Sequence, residues 1–143
     1  MSKVQFNYAG VQFKFSTKTK LKLHVEHIFK IEQISLEHLQ YVFCNDEFLL
    51  DINQSFLNHD TLTDIITFPL QEKNQPVVGE IYISIDRVKE NARLFDTNFQ
   101  TELVRVVSHG ALHLCGYKDK TKVQQIQMRS KEDFYINNFL EHN

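Results

Sequence analysis

The chain has 143 residues, 42% of them hydrophobic and 12 of them Phe, which suffices for one packed core and is cramped for two domains. The opening MSKVQFNYAG lacks an apolar leader core, and no stretch nears the length of a bilayer span, so a cytoplasmic protein with no membrane partner is expected. Two cysteines, Cys44 and Cys115, exclude a disulfide framework, and a net charge of −2 excludes a uniformly basic nucleic-acid binder. The charge is nevertheless uneven. Residues 31–72 hold no Lys or Arg, whereas Met1 to Lys30 carry Lys3, Lys14, Lys18, Lys20, Lys22 and Lys30 against the single acid Glu26. That basic end suits either a phosphate-tracking surface or an ordinary solvated helix face.

In chain order, Val4 to Tyr8 and Val11 to Phe15 alternate around Ala9-Gly10 and predict one strand or a short hairpin. A helix should open near Thr17, with Leu21, Leu23, Val25, Ile28, Phe29 and Ile31 on a broad apolar side. Leu36 to Cys44 is rich in strand formers, and Asn45-Asp46 breaks it and caps a second helix bearing Phe48, Leu49, Ile52, Phe56 and Leu57. A polar connection from Asn58 leads to a strand over Thr63 to Leu70. A loop through Lys73 to Pro76 separates that strand from a neighbour over Val77 to Ile85. Asp86 can cap a third helix running toward Phe95, and Thr101 begins a fourth. Thr121 to Leu140 should form one or two closing helices. Strands mixed with helices of these lengths imply an α+β domain in which a small sheet is covered by helices, with all 143 residues in it.

Candidate chemistry concentrates in Ser108 to Lys120. His109 and His113 are four residues apart, one turn of a helix, so both imidazoles share a face. Leu103, Val107, Gly110 and Leu114 form a neighbouring stripe, which puts the histidines at the border of a buried face. Gly116 suits the left-handed position that ends a helix, after which the chain can double back and present Tyr117, Lys118 and Asp119. Two imidazoles and the Asp119 carboxylate would leave a zinc-like cation with an open position for water. A pair of surface histidines with Asp119 as a loop acid is the alternative. Cys115 points away from the pair at roughly 100° per residue and is read as packing.

His109-Gly110-x-Leu112-His113-Leu114-x-Gly116-Tyr117 resembles the signature of the YbeY family of metal-dependent endoribonucleases. The likeness extends to Asn53-x-x-Phe56, to Asp60-x-x-Thr63-Asp64-Ile65-Ile66-Thr67-Phe68-Pro69, and to Gly79-Glu80-Ile81-x-Ile83-Ser84. It implies a zincin-like sandwich with a mainly parallel sheet and one zinc ion, other divalent metals being possible. It also implies cleavage of single-stranded RNA on ribosomal RNA precursors at the small subunit, in maturation of its RNA 3′ end and in ribosome quality control. Where the family commonly has a third histidine this chain has Asp119, and where it commonly has an arginine after the Phe56 position this chain has Leu57. It also has Leu62 in place of a common proline.

The extra negative charge of Asp119 implies a more alkaline activity profile than a three-histidine site. With Leu57 unable to contact phosphate, Arg105, one turn before His109, or Lys118 is expected to serve, and Tyr117 can stack a base. Asp64 and Glu80 are the candidates for a general base, each with a plainer reading as a turn acid or a strand-edge charge. A zinc peptidase is disfavoured because Gly110 stands where His-Glu-x-x-His enzymes carry glutamate. A ribosome-assembly factor with a structural metal is the remaining alternative.

Overall fold

A computed structural model of the chain describes residues 2–13, 15–57 and 63–141. Among these residues the elements run β1 (Val4–Ala9), α1 (Lys18–Ile31), β2 (Leu36–Cys44), α2 (Asp46–Leu57), β3 (Ile65–Pro69), β4 (Val77–Ser84), α3 (Ile85–Leu94), α4 (Phe99–Leu114) and α5 (Lys122–Glu141). The strands form one four-stranded sheet in the order β1-β2-β4-β3. β1 and β4 flank β2 in parallel, and β3 lies antiparallel on β4 with Thr67 opposite Ile81. Parallel neighbours need long crossovers, and α1 and α2 provide them; the β3–β4 pair needs only the short loop between Pro69 and Val77. The sheet is thus mainly parallel with one antiparallel edge, as expected.

Alternation along β4 divides the interior into two layers. Ile81 and Ile83 join the larger core with Leu21, Val25 and Ile28 of α1, Val104, Val107 and Ala111 of α4, and Tyr135 and Phe139 of α5. On the other face, Leu49 and Ile52 of α2 cover Cys44 and Ile66, with Tyr82 and Phe68 packed against them. The buried residues of α1 recur at Leu21, Val25 and Ile28, while Leu23 and Ile31 face solvent. That is why the apolar side of this segment looks broad in the sequence.

Three local expectations need narrowing or correction. Of the single strand and the hairpin, the single strand β1 is found: Val11 to Phe13 and Phe15 make no second strand, and Phe13 and Phe15 instead stack with rings 5.6 Å apart and pack against the larger core. Ser84, not Asp86, caps α3, its hydroxyl accepting from the Arg87 N–H, while Asp86 accepts from the Asp46 N–H at the start of α2. α4 begins at Phe99, two residues before Thr101, because Asn98 caps it, accepting from the Thr101 N–H at 2.8 Å. Lys14, Asp60 and Leu62, with most of the connection after Asn58, lie outside the described residues.

Candidate metal centre

The centre is built on α4. Val104, Val107 and Ala111 turn one side of this helix to the sheet, and His109 and His113 stand half-buried at its edge. Gly110 lets the helix approach closely, since a Cβ there would lie 2.8 Å from Ile81 Cδ1 and 3.0 Å from Ile65 Cδ1. The helix stops at Cys115. Tyr117 N–H then bonds the Leu112 carbonyl and Gly116 N–H the His113 carbonyl, each at 3.0 Å, with Gly116 at φ +108°. This pairing with a left-handed residue reverses the chain and brings Asp119 back over the last turn.

His109 Nε2 and His113 Nε2 are 3.0 Å apart, and Asp119 Oδ2 lies 3.3 Å from the first and 3.4 Å from the second. Ligands at about 2.0–2.1 Å around a tetrahedral ion stand roughly 3.3 Å from one another, so the three atoms have the spacing of one face of such a site. The far ring nitrogens are also committed. His113 Nδ1 lies 2.9 Å from the Tyr117 carbonyl, which can only accept, so this nitrogen carries a proton and Nε2 is the ring atom left to offer a lone pair to a metal. His109 Nδ1 meets Glu132 Oε2 at 2.6 Å. Lone pairs converging with a carboxylate repel unless a cation or a proton sits among them, and a divalent metal fits this donor set.

The triad opens into a cleft of about 1010 Å³ between β3, the ends of α2 and α3, α4 and the start of α5. Arg105 reaches it, but its guanidinium donates to Glu132 Oε1 and Asp133 Oδ1, each at 2.9 Å. Burial opposes the charge on Arg105, yet those two carboxylates raise its pKa further. Lys118 and Tyr117 are not among the lining residues. Tyr117 turns its hydroxyl to Glu32 Oε1 at 2.7 Å, away from the triad. Lys120 and Arg129 do line the cleft, and Arg129, with a 58% exposed side chain, makes a 3.9 Å contact to Glu132 and acts on Glu102 through its charge. Leu57 forms part of the wall, as does Phe95, which is 64% exposed at the end of α3.

Of the two candidate bases, Asp64 lines the cleft and Glu80 does not. Glu80 accepts from the Tyr82 hydroxyl, on the sheet face that carries α2. Burial lifts the Asp64 pKa, with the nearby His109 charge, its own backbone N–H and the Asn91 amide only partly opposing. The Asn91 amide donates to Asp64 Oδ2 at 3.2 Å. His109 is raised in turn: burial acts against its charge, and Glu132, Asp119 and Asp64 outweigh that.

Glu132 and Arg129 escaped the sequence reading because α5 meets α4 only in three dimensions. One signal was present, since Glu132 falls at helical spacing among Met128, Tyr135, Ile136 and Phe139, all buried.

The family whose model matches residues 5–140 is described as Endoribonuclease YbeY. A protein of that name from Flavobacterium psychrophilum is 46% identical over 130 residues, covering 91% of both chains. One from Cytophaga hutchinsonii is 47% identical, covering 85% of both. The solution structure of TM1509 from Thermotoga maritima superposes with a TM-score of 0.68 at 33% identity, over 95% of this chain and 88% of that one. Because the match takes in all four strands but for Val4, with α4, the Asp119 loop and nearly all of α5, the chain belongs to the YbeY endoribonuclease family.

Proposed function

We propose that residues 1–143 act as one metal-dependent endoribonuclease domain that hydrolyses phosphodiester bonds of single-stranded RNA. Its substrates are ribosomal RNA precursors, at the 3′ end of the small-subunit RNA, with a part in ribosome quality control. The observation that carries the reading is the convergence of His109 Nε2, His113 Nε2 and Asp119 Oδ2 within 3.4 Å of one another at the mouth of a cleft, in a chain of this family. Zinc is the metal this donor set suits. When bound, zinc supplies an acidified water and draws charge from a phosphoryl oxygen.

The chain's own groups do the rest. His113 and His109 keep Nε2 aimed at the open face, each oriented through Nδ1. Asp64, with its raised pKa and its carboxylate steadied by Asn91, accepts the proton of the attacking water. Arg129 and Lys120 take the phosphate contact that Leu57 cannot make, because Arg105 is spent on carboxylates of α5. Phe95 offers an exposed ring face to an unpaired base, a surface that paired bases in a duplex cannot reach. Position 110 faces the sheet, so no glutamate base of the peptidase kind can act from there.

The test is cleavage of a labelled single-stranded RNA by zinc-loaded protein, with His113→Ala in parallel. The variant should lose about a hundredfold or more, the scale of removing charge stabilisation at a reacting centre. Equal cleavage by both would place the activity elsewhere. RNA binding with zinc but no turnover would favour an assembly factor.

A further inference from the structure

Glu132 is only 5% exposed, yet it faces two partners that each want its charge. One carboxylate oxygen, Oε2, lies 2.6 Å from His109 Nδ1, and the other, Oε1, accepts from Arg105 at 2.9 Å. The residue comes from α5, the element most distant in sequence from the sheet, and reaches the back of a histidine on α4. We infer that Glu132 is the positioning carboxylate of the metal centre: it holds His109 with Nδ1 protonated and Nε2 toward Asp119 and His113, while Arg105 balances its charge.

The inference rests on the metal reading above and adds the group that makes it work. An imidazole free to rotate, or carrying its proton on Nε2, cannot complete the triangle of donor atoms. A carboxylate behind the ring excludes both states and makes the ring a better donor. Arg105 is needed for a separate reason. With Asp119 already in the triad, a second buried and uncompensated carboxylate beside it would repel the first. Arg105 therefore belongs to the support of the centre, which explains why it approaches the cleft without offering a free guanidinium. His113 is held differently, by the Tyr117 carbonyl, so the loss of Glu132 should leave that ring in place.

The experiment measures zinc affinity by competition with a chromogenic chelator, and the visible absorption of the cobalt-substituted protein, for wild type, Glu132→Gln and Asp133→Asn. Asp133 pairs with the same arginine but touches neither histidine, so it reports on a merely structural ion pair. Glu132→Gln should weaken zinc binding by about 10- to 100-fold and alter the cobalt spectrum. Asp133→Asn should stay within about threefold of wild type with an unchanged spectrum. Should Glu132→Gln not fold, the double variant Arg105→Met with Glu132→Gln removes both charges together and carries the same expectation. Wild-type affinity and spectrum in the Glu132 variants, or an equal loss in Asp133→Asn, would overturn the inference. A wild-type protein that binds neither metal would overturn the metal reading and this inference with it, an outcome distinct from one in which wild type binds and the variants bind equally.

Discussion

Glu32 and Glu132 each secure one histidine of the centre, by a different route. Glu132 touches His109 directly and is answered by a guanidinium. Glu32, at the C-cap of α1, accepts from the Tyr117 hydroxyl and from Lys131 Nζ at 3.1 Å, and from the Tyr135 hydroxyl. Its hold on the site runs through Tyr117, whose backbone carbonyl orients His113. Burial alone would raise the Glu32 pKa, but Tyr135, Tyr117 and Lys131 lower it on balance. The contrast teaches that a carboxylate set against the ring controls a ligand directly, whereas one shared by two phenols and an ammonium anchors the backbone that controls it.

Substitution is the most forceful way to break this comparison. Glu132→Gln takes from Arg105 its most buried partner, leaving it Asp133 and the more distant Glu102, and should cost about 3 kcal/mol of unfolding free energy in the metal-free protein. Glu32→Gln, which leaves phenols and an amine that can find water, should cost about 1–2 kcal/mol. Chemical denaturation of the two variants side by side measures both, and equal costs would erase the distinction.

Acid sharpens it by a second means. His24 of α1 is buried with Nε2 3.3 Å from the Ser108 hydroxyl, and burial followed by the charges of His27 and Lys20 pushes its pKa down to about 4. A depressed folded pKa means that the unfolded chain binds the proton first. Stability from this group is therefore complete above about 6.5 and is lost as pH falls toward 4, by up to about 3 kcal/mol. Glu32, also depressed, has its ordinary value at 4.5 and loses its contribution only as pH falls below that. Unfolding free energies of wild type and His24→Asn should therefore diverge in slope between pH 6.5 and 4, and a common slope there would refute the assignment.

Smaller effects refine the picture. Tyr117→Phe removes the phenol from Glu32 but keeps the carbonyl on His113, so it should cost about 1 kcal/mol and leave zinc affinity within about threefold. A large rise in KM for RNA in Tyr117→Ala that Tyr117→Phe does not share would restore Tyr117 as a base-stacking residue. Asp119→His removes one negative charge from the triad, and its cleavage profile should move to lower pH. A profile that does not move would detach the water's acidity from the identity of this ligand.

How legible all this was depended on range. β2 is predicted to the residue, because Leu36, Leu39 and the run Tyr41-Val42-Phe43-Cys44 suit a buried strand and Asn45, accepting from the Phe48 N–H at 2.8 Å, ends it. The turn after His113 is legible as well, since only a glycine sits easily at φ +108°. The face of α5 is not. Val123 and Ile126 are 77% and 64% exposed, while Glu132 is buried, so reading apolar residues as the inward side selects the wrong ones. Glu132 is inside because Arg105 and the His109 Nδ1 of α4 receive it, and sequence spacing along α5 carries no record of those two groups. Arg105 was placed correctly near His109, but its role was hidden for the same reason.

The tight seat of Gly110 against Ile81 and Ile65 also limits what this helix can become. A chain that changes activity by single substitutions must pass through folded intermediates. Replacing Gly110 with glutamate would complete the His-Glu-x-x-His pattern on paper, yet it would drive an unpaired carboxylate into the apolar layer beneath α4. The route from this nuclease scaffold to a peptidase of that kind is closed at its first step, and a designer seeking one would have to lift the helix off the sheet before altering the chemistry.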